Sequence, residues 1–224
     1  MSWKDKIYLF CDIEHLLFED LQPFITLLPR DRLEKVFKYK REIDRKISIV
    51  AHLLLSISLA REFGIAGPIR TVFNSYGKPF LKDYPNIYFN LSHCRLGVAC
   101  ALSKAPVGMD IEAIDESRMF FARDILTPGE LEQLCATKDV EQFFRLWVLK
   151  EATLKKAGTG LVDGATHIEF VGYDKDIFCA YGSVYHLKKF SGLYSAVCGN
   201  HPVHYVSVTC EELLNGLREK VYAD

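Results

Sequence analysis

The stretch LWVLKEATLK, from Leu146 to Lys155, has the composition of a strong helix and carries a Trp, a Glu and a Lys at intervals of four. Residues four apart stack on one helical face, so Trp147, Glu151 and Lys155 form a single stripe. The surrounding pattern predicts a helix from about Asp139 to Ala157, ended by the glycines at 158 and 160. Taken alone, the Glu and Lys would also fit an ordinary surface ion pair, and the Trp a core position.

A second segment, VGMDIE from Val107 to Glu112, predicts a strand with two acids on one face. Strand alternation points Asp110 and Glu112 the same way, and Gly108 permits a close backbone approach. Like charges on one face repel unless something compensates for them, and Mg²⁺ would do so. These two acids, with Glu151 and Lys155 of the helix, have the composition of a divalent-metal phosphate site. The plainer alternative is a solvated strand face.

Earlier in the chain, a largely apolar run predicts a long buried helix over Arg41–Phe63, which ends at Gly64. Short strands are predicted on either side of both long helices, including one near His167–Val171 and one near Val203–Val208. Helices and strands do not alternate regularly, which favours the α+β class. The layout divides into two similar halves, residues 1–105 and residues 106–224, each a long helix packed on a small, mainly antiparallel sheet. A ligand is expected at their interface.

Composition restricts the partners and the compartment. The 224 residues carry a net charge of −1, so no global field favours nucleic acid or an anionic membrane, and any anion needs a local basic cluster. The seven cysteines are scattered with no CxxC pair, which is typical of reduced thiols in a cytoplasmic protein. We therefore expect a cytoplasmic protein without nucleic-acid or membrane partners.

Several segments offer donors to a phosphate group. Phe89–His93 ends a predicted strand with a hydroxyl and an imidazole, and a glycine turn places Lys78 beside Gly77. The run from Arg30 to Lys46 holds eight cations interleaved with acids, of which a few could converge on a phosphate. Most such turns and runs are plain turns and solvated helix faces.

Two further features have both a structural and a functional interpretation. Glu130 completes a capping box with Thr127, yet it could also serve as a base or a metal contact. The adjacent apolar residues Met119, Phe120 and Phe121 cannot all point inward if helical. Part of that cluster, with Arg118 or Arg123, could dock a protein partner, or it could simply close the interface between the halves.

Together these segments resemble the 4′-phosphopantetheinyl transferases, specifically the surfactin-synthetase-activating type. The resemblance follows family order through most of the chain and is most specific in the GxDxE segment ending at Glu112 and the WxxKEAxxK segment ending at Lys155. It implies two halves related by a pseudo-twofold axis, with coenzyme A in the cleft and Mg²⁺ on its diphosphate. The implied partner is an apo acyl or peptidyl carrier protein, and we expect the transferase to be a monomer.

The resemblance also assigns roles to residues. It implies that the metal is bound by Asp110, Glu112 and Glu151, and that the nucleotide end of coenzyme A is held by Arg41, Arg45, Gly77, Lys78, Asn90, Ser92 and His93. Arg41 and Arg45 stay alternatives because spacing in the basic run varies. Glu151, directly or through a metal-bound water, would take the proton of the carrier serine. Lys155 would orient Glu151 or neutralise the leaving nucleotide, adenosine 3′,5′-bisphosphate.

Two other functions remain open at this level. The same acids could serve a Mg²⁺-dependent phosphohydrolase, although no nucleophile motif is recognisable. An inactive module that binds coenzyme A or a carrier is a non-enzymatic alternative. It is disfavoured by the intact Asp110, Glu112, Glu151 and Lys155. The sequence leaves open whether the carriers belong to fatty acid, polyketide, nonribosomal peptide or aminoadipate metabolism.

Overall fold

The computed structural model describes residues 3–160 and 164–221, with side chains as far as Gly216. The helices of these segments are α1 (Phe18–Leu21), α2 (Arg30–Lys38), α3 (Glu42–Phe63), α4 (Ala122–Ile125), α5 (Pro128–Thr137), α6 (Val140–Ala157) and α7 (Cys210–Val221). The strands are β1 (Asp5–Phe10), β2 (Thr71–Phe73), β3 (Pro79–Leu81), β4 (Tyr88–Cys94), β5 (Gly97–Ser103), β6 (Gly108–Ala113), β7 (Ile177–Ala180), β8 (Ser183–Phe190), β9 (Leu193–Gly199) and β10 (Val203–Ser207). Short 3₁₀ helices cover Gln22–Leu27, Glu116–Phe121 and Ala165–His167.

The strands form two four-stranded sheets and one small hairpin. The first sheet has the order β10-β1-β5-β4 and the second has the order β6-β9-β8-β7, while β2 and β3 pair with each other. All pairings are antiparallel except that of β1 with β10. The prediction of helices on small, mainly antiparallel sheets is therefore confirmed, whereas the pseudo-twofold relation between the halves stays a prediction.

Buried apolar side chains form three layers. One lies between α3 and the first sheet, one between the two sheets, and one between the second sheet and α6. One face of the first sheet packs on α3, in which all residues from Lys46 to Leu59 are buried. Its other face, with Ile7 and Leu9, meets Met109 and Ile111 of the second sheet. The far side of the second sheet packs on α6. Each Leu or Ile side chain buried in these layers contributes about 2 kcal/mol.

The ends of α6 follow ordinary helix chemistry. The Asp139 side chain accepts a hydrogen bond from the Glu141 amide at 2.9 Å and so caps the first turn. Gly158, with a φ of 74°, ends the helix in the left-handed conformation that glycine adopts without strain. The predicted helix over 139–157 is confirmed to within one residue.

Two predictions about the tail need correction. No strand forms at His167–Val171, because side chains bind this backbone: Lys150 donates to the carbonyls of Ala165 and Ile168, and Glu130 accepts from the Phe170 amide. In addition, β10 adds to β1 of the first sheet, and α7 packs on α3. Residues 203–221 thus pack with the first half, and the division at residue 105 otherwise stays a prediction.

No helix in the described parts of the chain is long and apolar enough to cross a bilayer.

Gly108 sets the distance between β6 and α6, and this leads to a prediction. A Cβ at this position would overlap the Ala152 carbonyl oxygen and the Lys156 amide nitrogen. We expect Gly108→Ala to lower the free energy of unfolding by about 3 kcal/mol, because a packed backbone cannot make room. Urea unfolding measures this. The control is Gly67→Ala, whose Cβ would meet nothing within 4 Å and should change stability by less than about 0.5 kcal/mol. Equal stability of the two variants would contradict the close-packing role of Gly108.

Candidate active site

Two edge strands, β4 of the first sheet and β6 of the second, lie side by side. They are connected by hydrogen bonds from β6 amides to side chains of β4, and not by bonds between the two backbones. The Asn90 Oδ1 atom accepts a hydrogen bond from the Met109 amide at 2.8 Å. Two residues further along, the Ser92 Oγ atom accepts one from the Ile111 amide at 3.2 Å. These bonds satisfy the outward-facing amides of β6, which would otherwise be buried without partners. They also fix β6 relative to the first sheet.

Asp110, between those two amides, is the centre of the site. It is buried, and its Oδ1 atom accepts hydrogen bonds from Ser92 Oγ at 2.7 Å and from Lys155 Nζ at 2.6 Å. Lys155 also donates to Ser92 Oγ at 3.0 Å. The structure therefore brings together the strand acid and the helix lysine that were identified separately in the sequence.

The carboxyl groups around Asp110 interact electrostatically. Burial, followed by repulsion from Asp110, raises the pKa of Glu112 to about 7, although Arg118 opposes that shift. Burial and Asp110 likewise raise the pKa of Glu151, and Lys155 opposes the change. Three acids that repel one another through a shared, desolvated space form a site that gains from an added cation.

The donor set fits Mg²⁺. The Asp110 Oδ2 atom is buried and accepts no hydrogen bond from the described protein atoms, so it has a free coordination position. Glu112 and Glu151 add carboxylate oxygens, the ligand type that Mg²⁺ prefers. In this structure Arg118 pairs with Glu112 and Lys155 with Asp110. Among the residues described, no three His, Cys, Asp or Glu side chains are already arranged to hold a metal.

Trp147 forms one wall of the site. Its ring packs edge-on against Phe143 at 5.2 Å and stacks on Phe144 at 5.8 Å. The Arg118 guanidinium lies over the same ring at 4.1 Å while it pairs with Glu112. Arg118 thus connects the aromatic wall to the acids. The sequence placed Arg118 only in a possible docking cluster, because no local pattern indicates a contact with Trp147, 29 positions away.

A cavity of about 300 Å³ lies on the first half, and His93 of its lining interacts electrostatically with Asp110 and Lys155. Its lining includes Gly77 and His93, as well as Arg32 and Lys35 of α2. The pKa of His93 is lowered because surrounding atoms desolvate its ring and because Lys155 repels its protonated form, although part of the side chain is open to solvent. Asp44 also lines the cavity, and Arg32, Lys35 and His93 are the groups of the wall that could receive an anion. Arg32 and Lys35 belong to the basic run, but the sequence alone did not identify them as phosphate ligands. Their spacing of three places them on one face of a helix, and this was the signal that could have identified them.

The other predicted nucleotide ligands bind protein groups in this structure. Arg41 is exposed and pairs with Asp44 through two bonds of 2.9 and 3.0 Å. Arg45 donates to the Tyr39 carbonyl at 2.8 Å. Lys78 donates to backbone carbonyls at the end of α6, and Asn90 and Ser92 join the sheets as described above. Of the predicted nucleotide set, Gly77 and His93 are the members that line the cavity.

Glu130 lies outside the acidic site, and the structure supports its interpretation as a helix cap. It is fully buried, accepts from the Thr127 amide at 2.9 Å and forms an ion pair of 2.6 Å with Lys150, which is also fully buried. Its other oxygen accepts from the Phe170 amide at 2.8 Å. Both oxygens are thus bound to protein groups, which favours the helix cap over a base or a metal contact. Lys150 of the helix motif therefore has a structural partner that the sequence did not indicate.

Comparison with known proteins adds independent support. Residues 106–205 match the model of the 4′-phosphopantetheinyl transferase superfamily. The 4′-phosphopantetheinyl transferase Sfp of Bacillus subtilis (strain 168) is 28% identical in an alignment of 228 positions that covers 93% of this chain and 100% of the relative. The transferase gsp of Aneurinibacillus migulanus is 33% identical over 59% of this chain and 56% of its own length. The L-aminoadipate-semialdehyde dehydrogenase-phosphopantetheinyl transferase of Mus musculus is 31% identical over 65% of this chain and 52% of its own length.

The matched region contains Asp110, Glu151 and Lys155, the residues on which the resemblance of the sequence rested. The comparisons and the motifs agree, and the predicted resemblance is confirmed. These findings support an enzyme of the 4′-phosphopantetheinyl transferase superfamily, similar over nearly its whole length to the Bacillus subtilis transferase Sfp.

Proposed function

We propose that this protein transfers the 4′-phosphopantetheine arm of coenzyme A to a serine hydroxyl of an apo acyl or peptidyl carrier protein. The reaction depends on Mg²⁺ and releases adenosine 3′,5′-bisphosphate. The observation that carries the proposal is the buried Asp110 carboxylate with its free Oδ2 atom, beside two acids of raised pKa and the Lys155 ammonium. The similarity to this superfamily supports the same chemistry.

The bond changes assign a task to each group. The serine Oγ atom forms a bond to the phosphorus that carries pantetheine, and the bond from that phosphorus to the bridging diphosphate oxygen breaks. The bridging oxygen leaves on the nucleotide, and the serine proton goes to a base. Mg²⁺, held by Asp110, Glu112 and Glu151, would stabilise negative charge on the diphosphate oxygens.

Glu151 is our proposed base. Its carboxylate lies one turn before Lys155 on the same face of α6, where it can take the serine proton directly or through a metal-bound water. Lys155 lies on the same face one turn later, where its ammonium can neutralise charge on the diphosphate. The cavity lined by Arg32, Lys35 and His93 would hold the nucleotide end with its 3′-phosphate. The roles of Arg41 and Arg45 as alternative phosphate ligands stay predictions, and each would require its present bonds to break.

Removal of Asp110 tests the metal site. We expect Asp110→Asn to lower kcat for carrier modification by about 100-fold or more, because a charge stabiliser of the transition state is lost. The assay mixes coenzyme A, Mg²⁺ and an apo carrier and follows by mass spectrometry the gain of the phosphopantetheine arm. Circular dichroism checks that the variant is folded. A fully active Asp110→Asn protein in the presence of Mg²⁺ would refute the metal assignment.

Replacement of Glu151 tests the base. Glu151→Gln should bind coenzyme A with nearly normal affinity but lose most of kcat, because the amide cannot take the serine proton. The control is Glu141→Gln on the same helix, where the lost partner is the exposed Lys189 and activity should stay within about twofold. If Glu151→Gln changes only the KM for coenzyme A, another residue is the base.

The carrier surface is a separate proposal. Carrier proteins of this reaction class are expected to be acidic near their serine, so a local surface with apolar and basic residues must receive them. Phe120 is 71% exposed and packs at a tilt against Phe121, with ring centroids 3.9 Å apart, and Phe121 contacts Trp147 of the site wall. Met119 instead packs partly against the core. The outward part of this cluster, with the exposed Arg123, is our candidate docking surface.

We expect Phe120→Ala and Arg123→Ala, tested separately, to raise the KM for the carrier about 3-fold or more. The KM for coenzyme A should not change. The physical reason is the loss of an aromatic anchor or a complementary charge at one interface only. Ile177→Ala serves as control, because that residue is 61% exposed on the edge strand β7. Equal losses for both substrates, or lower thermal stability, would favour the structural interpretation of the cluster.

The same assay separates the alternative functions. Coenzyme A hydrolysed in the absence of a carrier would identify a phosphohydrolase. Binding of coenzyme A without transfer to any apo carrier would identify an inactive module.

A further inference from the structure

The turn between β2 and β3, residues 74–78, is attached to the end of α6 by two side chains. The Lys78 Nζ atom donates to the carbonyl oxygens of Lys155 at 2.6 Å and Lys156 at 3.0 Å. The Asn74 Nδ2 atom donates to the Gly158 carbonyl at 2.9 Å. A third donation from Lys78 reaches the Val107 carbonyl, just before β6, at 3.3 Å. A turn of the first half thus contacts both elements that carry the acidic site.

These contacts suit the chemistry of a helix end. The last carbonyls of a helix have no partner within the helix, and they carry the negative end of its dipole. A lysine ammonium offers three donors and a positive charge to such a group. Burial lowers the pKa of Lys78 to about 8, which still leaves it mostly protonated at pH 7.

The same contacts leave Lys78 without a free donor for a phosphate group. All three Nζ donors of Lys78 are directed at backbone carbonyls, so a phosphate contact would need at least one of these bonds to break. The neighbouring Gly77 nevertheless lines the nucleotide cavity. The turn therefore connects that cavity on one side with the helix that carries Glu151 and Lys155 on the other.

We propose that Lys78 is a positioning residue, which holds the end of α6 so that Lys155 and Glu151 are aligned with the nucleotide cavity, and that it is not a phosphate ligand. This inference rests on the proposed function and replaces the nucleotide-binding role that the resemblance implied for Lys78. Lys155 shows the connection directly: its carbonyl accepts from Lys78 while its ammonium contacts Asp110. Loss of the Lys78 contact would free the last turn of α6 and displace that ammonium.

The chain offers a second variant that weakens the attachment without removing a cation. Asn74 Oδ1 accepts from the amides of Tyr76 at 3.0 Å and Lys78 at 2.8 Å, and these bonds support the turn. Asn74→Asp keeps this acceptor but replaces the donor to the Gly158 carbonyl with an oxygen. It should therefore loosen the turn from α6 while the turn itself keeps its shape.

The experiment compares two substrates, coenzyme A and coenzyme A that lacks the 3′-phosphate. For Lys78→Met and Asn74→Asp we expect kcat to fall at least about tenfold, because a small misplacement of catalytic groups is costly. The KM for coenzyme A should stay within about twofold, and the ratio of kcat/KM between the two substrates should not change. Lys78→Arg, which retains charge and donors, should keep more of kcat than Lys78→Met.

The control is Lys35→Met, which removes a cation from the cavity lining. That variant should reduce the preference for coenzyme A over the 3′-dephosphorylated form. If Lys78→Met reduces this preference as Lys35→Met does, Lys78 is a phosphate ligand and the inference is overturned. An unchanged kcat in folded Lys78→Met would overturn it as well. If Lys78→Met does not fold, Asn74→Asp provides the same test, and an unchanged kcat in that variant would overturn the inference.

The wild-type protein separates this inference from the proposed function. If the wild type transfers no phosphopantetheine to any apo carrier, the proposed function fails. An active wild type with unaffected variants contradicts only the role of Lys78.

Discussion

The hydroxyl group of Ser92 joins three parts of the molecule that are distant in sequence. It accepts from the Ile111 amide of β6, donates to the Asp110 carboxylate and receives a hydrogen bond from the Lys155 ammonium of α6. The first sheet, the second sheet and α6 therefore meet at one oxygen atom. Because the site is buried, each of these groups needs its partner, and a change in any of them leaves a polar group unsatisfied.

The layered packing holds this junction in place. The sheets are fixed face to face by an apolar layer that includes Leu9 and Ile111, and Gly108 lets α6 approach β6 closely enough for Lys155 to reach Asp110. The pair of Glu130 and Lys150 fixes α5 and the segment after residue 164 against the same helix. Rigid elements on both sides allow the acids to remain close together despite their repulsion, which is the electrostatic condition for binding a cation.

The two sides of the site have different surfaces, which suits an enzyme with two substrates. The cavity of the first half has a basic lining that includes Arg32 and Lys35, as an anionic nucleotide requires. The edge of the second half exposes Phe120 next to the Trp147 wall, as a protein partner requires. The acids and Lys155 lie between them, where the proposed transfer would occur. The net charge of −1 is compatible with this arrangement because the charge that matters is local.

The sequence by itself determined most of the local structure and predicted which residues make up the candidate site. Helix periodicity placed Trp147, Glu151 and Lys155 on one stripe, and strand alternation placed Asp110 beside Glu112, because backbone geometry fixes both repeats regardless of the rest of the fold. The meeting of Asp110 with Lys155 was predictable only through the resemblance to a known family. Tertiary structure decided the partners of the long polar side chains: Lys78 on the end of α6, Glu130 on Lys150, Arg41 on Asp44, and β10 beside β1. Such contacts depend on which distant groups folding brings within about 3 Å, and neither periodicity nor local spacing contains that information.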